Sequence, residues 1–126
     1  MLITIDESDT RPIYQQITSQ IKEQVSNGSL PPGTELPSVR ELAESLGINM
    51  HTVRSAYLRL RDDGIIRLRL GRRAVINRRL VPRDAVELQG DIETHLHEVI
   101  TDALLTGIPR EDIRRLLNRQ LDRLKK

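Results

Sequence analysis

Cysteine, tryptophan and phenylalanine are absent from this 126-residue chain, and its aromatics reduce to Tyr14 and Tyr57. Without cysteine there is no disulfide, no thiolate metal site and no cysteine nucleophile, so packing alone must stabilise the fold. Two tyrosines cannot supply the stacking platforms on which single-stranded nucleic acid is held, which leaves duplexes open. No stretch approaches the roughly 18 apolar residues of a membrane span. The N-terminus MLITIDESD has no basic-then-apolar signal pattern. A soluble, cytoplasmic chain without membrane association is expected. There is also no phosphate-binding loop, no dinucleotide fingerprint, no nucleophile elbow and no H-E-x-x-H. Neither an enzyme nor a cofactor is predicted.

What is present is unevenly charged. The net charge is only +2, yet between Asp63 and Asp84 the chain carries Arg67, Arg69, Arg72, Arg73, Arg78, Arg79 and Arg83 with no carboxylate among them. Clustered arginine repels itself, and a polyanion such as a phosphate backbone relieves that repulsion. A merely solvated face is the plainer alternative.

Periodicity divides the chain. LITI (residues 2–5) reads as a short strand or a strap on the core. Ile13, Ile17, Ile21 and Val25 recur every four residues after Pro12, which predicts a helix over about 12–27 that stops at Asn27-Gly28. Pro31-Pro32-Gly33 then enforces a turn and an extended piece ending at Pro37. Ser38 and Glu41 form a capping box, so a second helix starts at Ser38, buries Val39, Leu42, Ala43 and Leu46, and ends at Gly47. Asn49 caps a third, about 50–63, with Val53, Ala56, Tyr57 and Leu60 inward and Met50, His51, Arg54 and Ser55 outward. IIRLRLGRRAVI alternates apolar residues and arginines around Gly71, the pattern of a hairpin with one buried face, Arg67 and Arg69 on its solvent side, and a turn at 70–73. From Leu80 onward the chain is close to neutral and carries two apolar stripes, one through Ile92, Leu96, Val99 and Ala103 and one through Ile113, Leu117, Leu121 and Leu124. Two short helices cannot bury both stripes on each other, so dimerisation is the expected solution. The predicted organisation is a DNA-binding unit over 1–79 and a two-helix dimerisation region over 80–126.

Ala43, Gly47 and Val53 have the spacing of a helix-turn-helix. A small residue lets the helices cross, a glycine takes the left-handed turn, and an apolar residue seats the second helix. With PIYQQI (12–17), LPPGTELPSVRELAESLGIN (30–49), TVRSAYLRLRDDGII (52–66) and LGRR (70–73), residues 12–76 resemble the signature of GntR-family regulators. The short tail resembles that family's YtrA-type branch, which is mostly associated with bacterial transporter operons. The resemblance implies a winged helix-turn-helix, mainly α with a small β-hairpin, acting as a homodimeric repressor on an inverted repeat in double-stranded DNA. It further implies that Arg40 and Arg54 contact DNA. Asn49, Met50, His51 and Thr52 fall in the stretch that meets base edges, with Met50 and His51 departing from the commoner residues there. Gly71 matches the wing-tip glycine. Arg73 stands where a second glycine is usual, so a different turn is expected, with Arg72 and Arg73 serving a narrow minor groove.

Each assignment has a plainer counterpart. Arg40 has Glu44 one turn on, whereas Arg54 has no acid three or four residues away. Arg59 and Arg61, beside Asp62 and Asp63, read as structural, and Tyr57 and Tyr14 read as core. His95 and His97 lie about 200° apart around a helix and have no third ligand nearby, so exposed or interface histidines are expected there. The alternative function is a winged helix whose arginines meet an acidic protein. A small-molecule effector, if the tail takes one, belongs at the dimer interface, because about 45 residues hardly enclose a pocket of several hundred Å³.

Overall fold

The computed structural model describes residues 1–78 and 85–124, which fall into two compact units. The expected boundary near residues 79–82 lies outside the described residues.

The first unit contains α1 (Ile13–Ser26), α2 (Val39–Leu46), α3 (Met50–Asp62) and an antiparallel hairpin of β1 (Ile66–Arg69) and β2 (Arg72–Ile76). This is the winged helix-turn-helix that the spacing predicts. Ile17 and Ile21 of α1, Val53 and Leu60 of α3, Leu36 of the intervening loop, and Ile66 and Ile76 of the hairpin are each at most 1% exposed and form its centre. The helix-turn-helix follows from local chemistry. Ser38 Oγ accepts from the Glu41 amide at 3.1 Å while Glu41 Oε1 accepts from the Ser38 amide at 3.2 Å, closing the capping box. Gly47, at φ 68°, ends α2 in the left-handed region, and the Ile48 amide closes back onto the Ala43 carbonyl at 3.1 Å.

One feature differs from expectation, and one open alternative is decided. β2 is not half-buried: Ala74, Val75 and Ile76 are all covered, because the extended stretch before α2 pairs along its other edge. The Leu36 amide donates to the Ala74 carbonyl at 2.8 Å and the Ile76 amide to the Thr34 carbonyl at 2.9 Å, which makes β2 central rather than peripheral. Residues 2–5 form no strand, but lie as a strap along α1. The amides of Leu2, Thr4 and Asp6 donate to the side-chain oxygens of Gln24, Gln20 and Gln16, and those glutamines donate back to the same residues' carbonyls.

The second unit is a helical hairpin of α4 (Ala85–Leu105) and α5 (Arg110–Arg123), turned at Gly107 with φ 89°. α5 has no buried residue, and Val99, Leu105 and Leu121 are 64%, 81% and 61% exposed. Among the described residues no helix is long and apolar enough to cross a membrane.

Candidate nucleic-acid interface

The second helix of the motif starts where its cap dictates. Asn49 Oδ1 accepts from the His51 amide at 2.7 Å, and the Asn49 carbonyl receives the Thr52 amide at 3.1 Å. That cap engages the side-chain oxygen of Asn49, an exposed residue whose amide NH₂ group makes no hydrogen bond among the described residues. Met50 and His51 are exposed and Thr52 is half-buried, so the first turn of α3 presents an uncharged edge to solvent. One turn later Arg54 is exposed and makes no ion pair or hydrogen bond. Val53, Ala56, Tyr57 and Leu60 occupy the inner face, which fixes the roll of α3 and turns Arg54 out.

Arg40, in the first turn of α2, is likewise exposed and unpaired. The Arg40–Glu44 pair, the plainer reading, is not formed. Arg59 and Arg61 do stay structural, on Asp63 at 3.6 Å and Asp62 at 2.9 Å. Asp63 also holds Lys22 of α1 at 2.8 Å, a tie between helices far apart in sequence that periodicity does not reveal.

In the wing, Arg67 and Arg72 are exposed cations without partners. Gly71, at φ 68°, takes the left-handed position of the tip, and Leu70 beside it is wholly exposed. Arg69, expected on the solvent side with Arg67, is instead only 24% exposed at its side chain. It pairs with Glu35 at 2.9 Å and donates to the Arg73 carbonyl at 2.8 Å and 3.0 Å. The register slips between Arg67 and Arg69, where two steps along β1 are matched by three along β2. Arg73 is also engaged, with its Nη1 2.7 Å from Glu41 Oε1. The guanidinium of Arg73, followed by the Ser38 amide and hydroxyl, holds the Glu41 carboxyl down to about 2. Tyr57 donates to the Pro37 carbonyl at 2.7 Å, and burial pushes its phenol up.

The geometry therefore offers unpaired guanidinium groups at the start of α2, on α3 and on the wing, around an uncharged helix N-terminus. Among the described residues no group of three or more histidines or carboxylates is placed to hold a metal ion. His95 and His97 are exposed on α4.

The sequence pattern of the bacterial regulatory proteins of the gntR family matches residues 13–76. The chain belongs to the GntR family. The HTH-type transcriptional repressor YtrA of Bacillus subtilis (strain 168) is 37% identical over 112 residues, 89% of this chain and 86% of that protein. Among solved structures, a transcriptional antiterminator from Listeria monocytogenes EGD-e is 30% identical, covers 100% of this chain and 94% of its own, and superposes with a TM-score of 0.91. YtrA from Sulfolobus acidocaldarius, described as a GntR-family transcription factor, is 41% identical over 77% of this chain and 99% of that one, with a TM-score of 0.61. This GntR regulator is thus a DNA-binding transcription regulator and not an enzyme.

Proposed function

We propose that this GntR regulator is a homodimeric, cytoplasmic repressor that reads an inverted-repeat operator with α3 in the major groove. The observation that carries the reading is the pair of unpaired arginines, Arg40 and Arg54, flanking the uncharged, Asn49-capped start of α3. Uncharged side chains at a helix N-terminus suit base edges, and flanking guanidinium groups suit phosphate and guanine. In this reading Arg54 contacts a base, Asn49, Met50, His51 and Thr52 set the preference around it, and Arg40, Gly71 and Arg72 meet the backbone near the wing. Repression is supported by the name of the B. subtilis relative, and a transporter operon by the YtrA-type tail. The apolar stripes of α4 and α5 form the dimer interface, where any small-molecule effector would also bind, and half-sites lie about 10 bp apart or a multiple of it.

Selection of binding sites from random duplex DNA tests this directly. An inverted repeat should emerge, and Arg54→Ala should lose roughly 1–3 kcal/mol on it while relaxing preference at one position. Equal losses on operator and random DNA would remove Arg54 from the bases. An acidic-protein partner instead of DNA would show as no retention on duplex DNA even at low salt.

A further inference from the structure

The wing and the start of α2 face each other across a cavity of about 400 Å³ bounded by Ser38, Val39, Tyr57, Leu68 and Ala74. One ion pair bridges it, Arg73 to Glu41 at 2.7 Å. Among the described residues this is the only ion pair joining the hairpin to a helix. An exposed pair adds little to folding, so what it fixes is geometry more than stability.

The same segment is held from its other side, because Tyr57 of α3 donates to the Pro37 carbonyl at 2.7 Å. Residues 37–41 are therefore tied to α3 by Tyr57 and to the wing by Arg73. Arg72 and Arg73 both line this cavity, and only Arg73 is paired across it. Arg40 and Arg72, both exposed and unpaired, are the chain neighbours of the two paired residues Glu41 and Arg73. Whatever sets the Glu41–Arg73 separation also sets the spacing of the two free arginines. Glu41, in the first turn of α2, offsets the unfavourable approach of the Arg73 guanidinium to the positive end of that helix.

We propose that Arg73 is a positioning residue for DNA binding: through Glu41 it fixes the spacing between Arg40 and Arg72, and it does not itself neutralise a phosphate. This rests on the DNA-binding reading above and reassigns Arg73 within it, from a minor-groove contact to the residue that aims its neighbour.

Salt titrations of operator binding by the full chain test it with Glu41→Gln, Arg73→Gln, Arg73→Lys and Arg72→Gln. Glutamine serves the capping-box position as glutamate does, so E41Q removes the charge that pairs with Arg73 and spares the helix start. E41Q and R73Q should each weaken binding about tenfold, and the double variant no further, as expected of a coupled pair. The slope of log affinity against log salt should stay at the wild-type value in all three, whereas R72Q should lower it by about 0.9. R73K should return to within about twofold of wild type, since a single contact to one oxygen does not require the guanidinium fork. In hydroxyl-radical footprints, R73Q should lose protection under the wing and keep it under α3. A salt slope lowered by R73Q, tighter binding by E41Q, or wild-type binding by both would overturn the proposal. Failure of the wild-type chain to bind duplex DNA in a salt-dependent way would sink the functional reading instead.

Discussion

The hydroxyl of Tyr57 donates to the carbonyl of Pro37 at 2.7 Å, joining the middle of α3 to the turn that launches α2. Tyr57 is only 3% exposed, and burial, reinforced by the charge of Glu41, keeps its phenol neutral and donating. Tyr57→Phe keeps the ring in the core and leaves the Pro37 carbonyl without its donor. Denaturant unfolding should show a loss of about 1–2 kcal/mol. An unchanged midpoint would mean that water replaces the hydroxyl at no cost.

The strap over α1 rests on a match of two repeats. Residues four apart on a helix rise about 6.0 Å and residues two apart on a strand about 6.6 Å, so Gln16, Gln20 and Gln24 meet Asp6, Thr4 and Leu2 in step. Each glutamine amide substitutes for the backbone of a neighbouring strand. Gln20 is central, with bonds of 3.0 Å and 2.6 Å to the amide and carbonyl of Thr4. Gln20→Ala should cost about 1 kcal/mol and speed hydrogen exchange at the Thr4 amide. Unaltered exchange at Thr4 would show that the packing of Ile3 and Ile5, not the glutamine, holds the strap.

Acid unfolding has a definable contributor in Glu41. Its carboxyl is held down to about 2, from 4.5, mainly by Arg73 and then by Ser38. A group with a lowered folded-state pKa adds stability above its unfolded value and loses it as the pH falls through the folded value. The Glu41 contribution is therefore complete above about pH 4.5 and disappears toward pH 2. Asp6 and Asp9 are lowered too, by Ser8 and Arg11 respectively, and act in the same direction. Glu41→Gln should flatten the pH dependence of the melting temperature between pH 4.5 and 2 and leave the remaining slope to the aspartates. An acid limb identical to wild type would mean that Glu41 is not paired in solution.

What the sequence could reveal was decided by how local the chemistry is. The Ser38–Glu41 box, the Gly47 stop and the Asn49 cap each act within four residues, so residue type and spacing specify them. Ala43, Gly47 and Val53 are legible for the same reason, and Arg54 because no acid lies within a helical turn. The wing arginines were harder. Arg67, Arg69, Arg72 and Arg73 look alike in sequence, yet Arg69 is drawn to Glu35 and Arg73 to Glu41 by contacts that exist only once the hairpin packs beside the turn before α2. Full burial of Val75 has a similar origin, since its bridge to Glu35 depends on a segment far back in the chain. The strap did leave a signal in the four-residue spacing of its glutamines, but on a helix that spacing reads equally well as a solvated face.

The helical hairpin carries the last prediction. Along α4, Ile92 and Val99 are 55% and 64% exposed, and Leu121 of α5 is 61% exposed. Covering a side chain of that size contributes roughly 1.5–3 kcal/mol, so a second copy laid on these stripes would gain enough to associate. Linking two operator-reading units raises the affinity of the pair by about 10²–10⁴ over either alone. Val99→Glu combined with Leu121→Glu would place carboxylates in the stripe that a second copy would cover, where an unpaired charge is strongly unfavourable. Sedimentation should then report a monomer, and operator affinity should fall by about 10² or more while weak binding to a single half-site persists. A double variant that still sediments as a dimer would move the interface to residues 1–78. One that becomes monomeric yet binds the full operator as tightly as before would separate dimerisation from recognition.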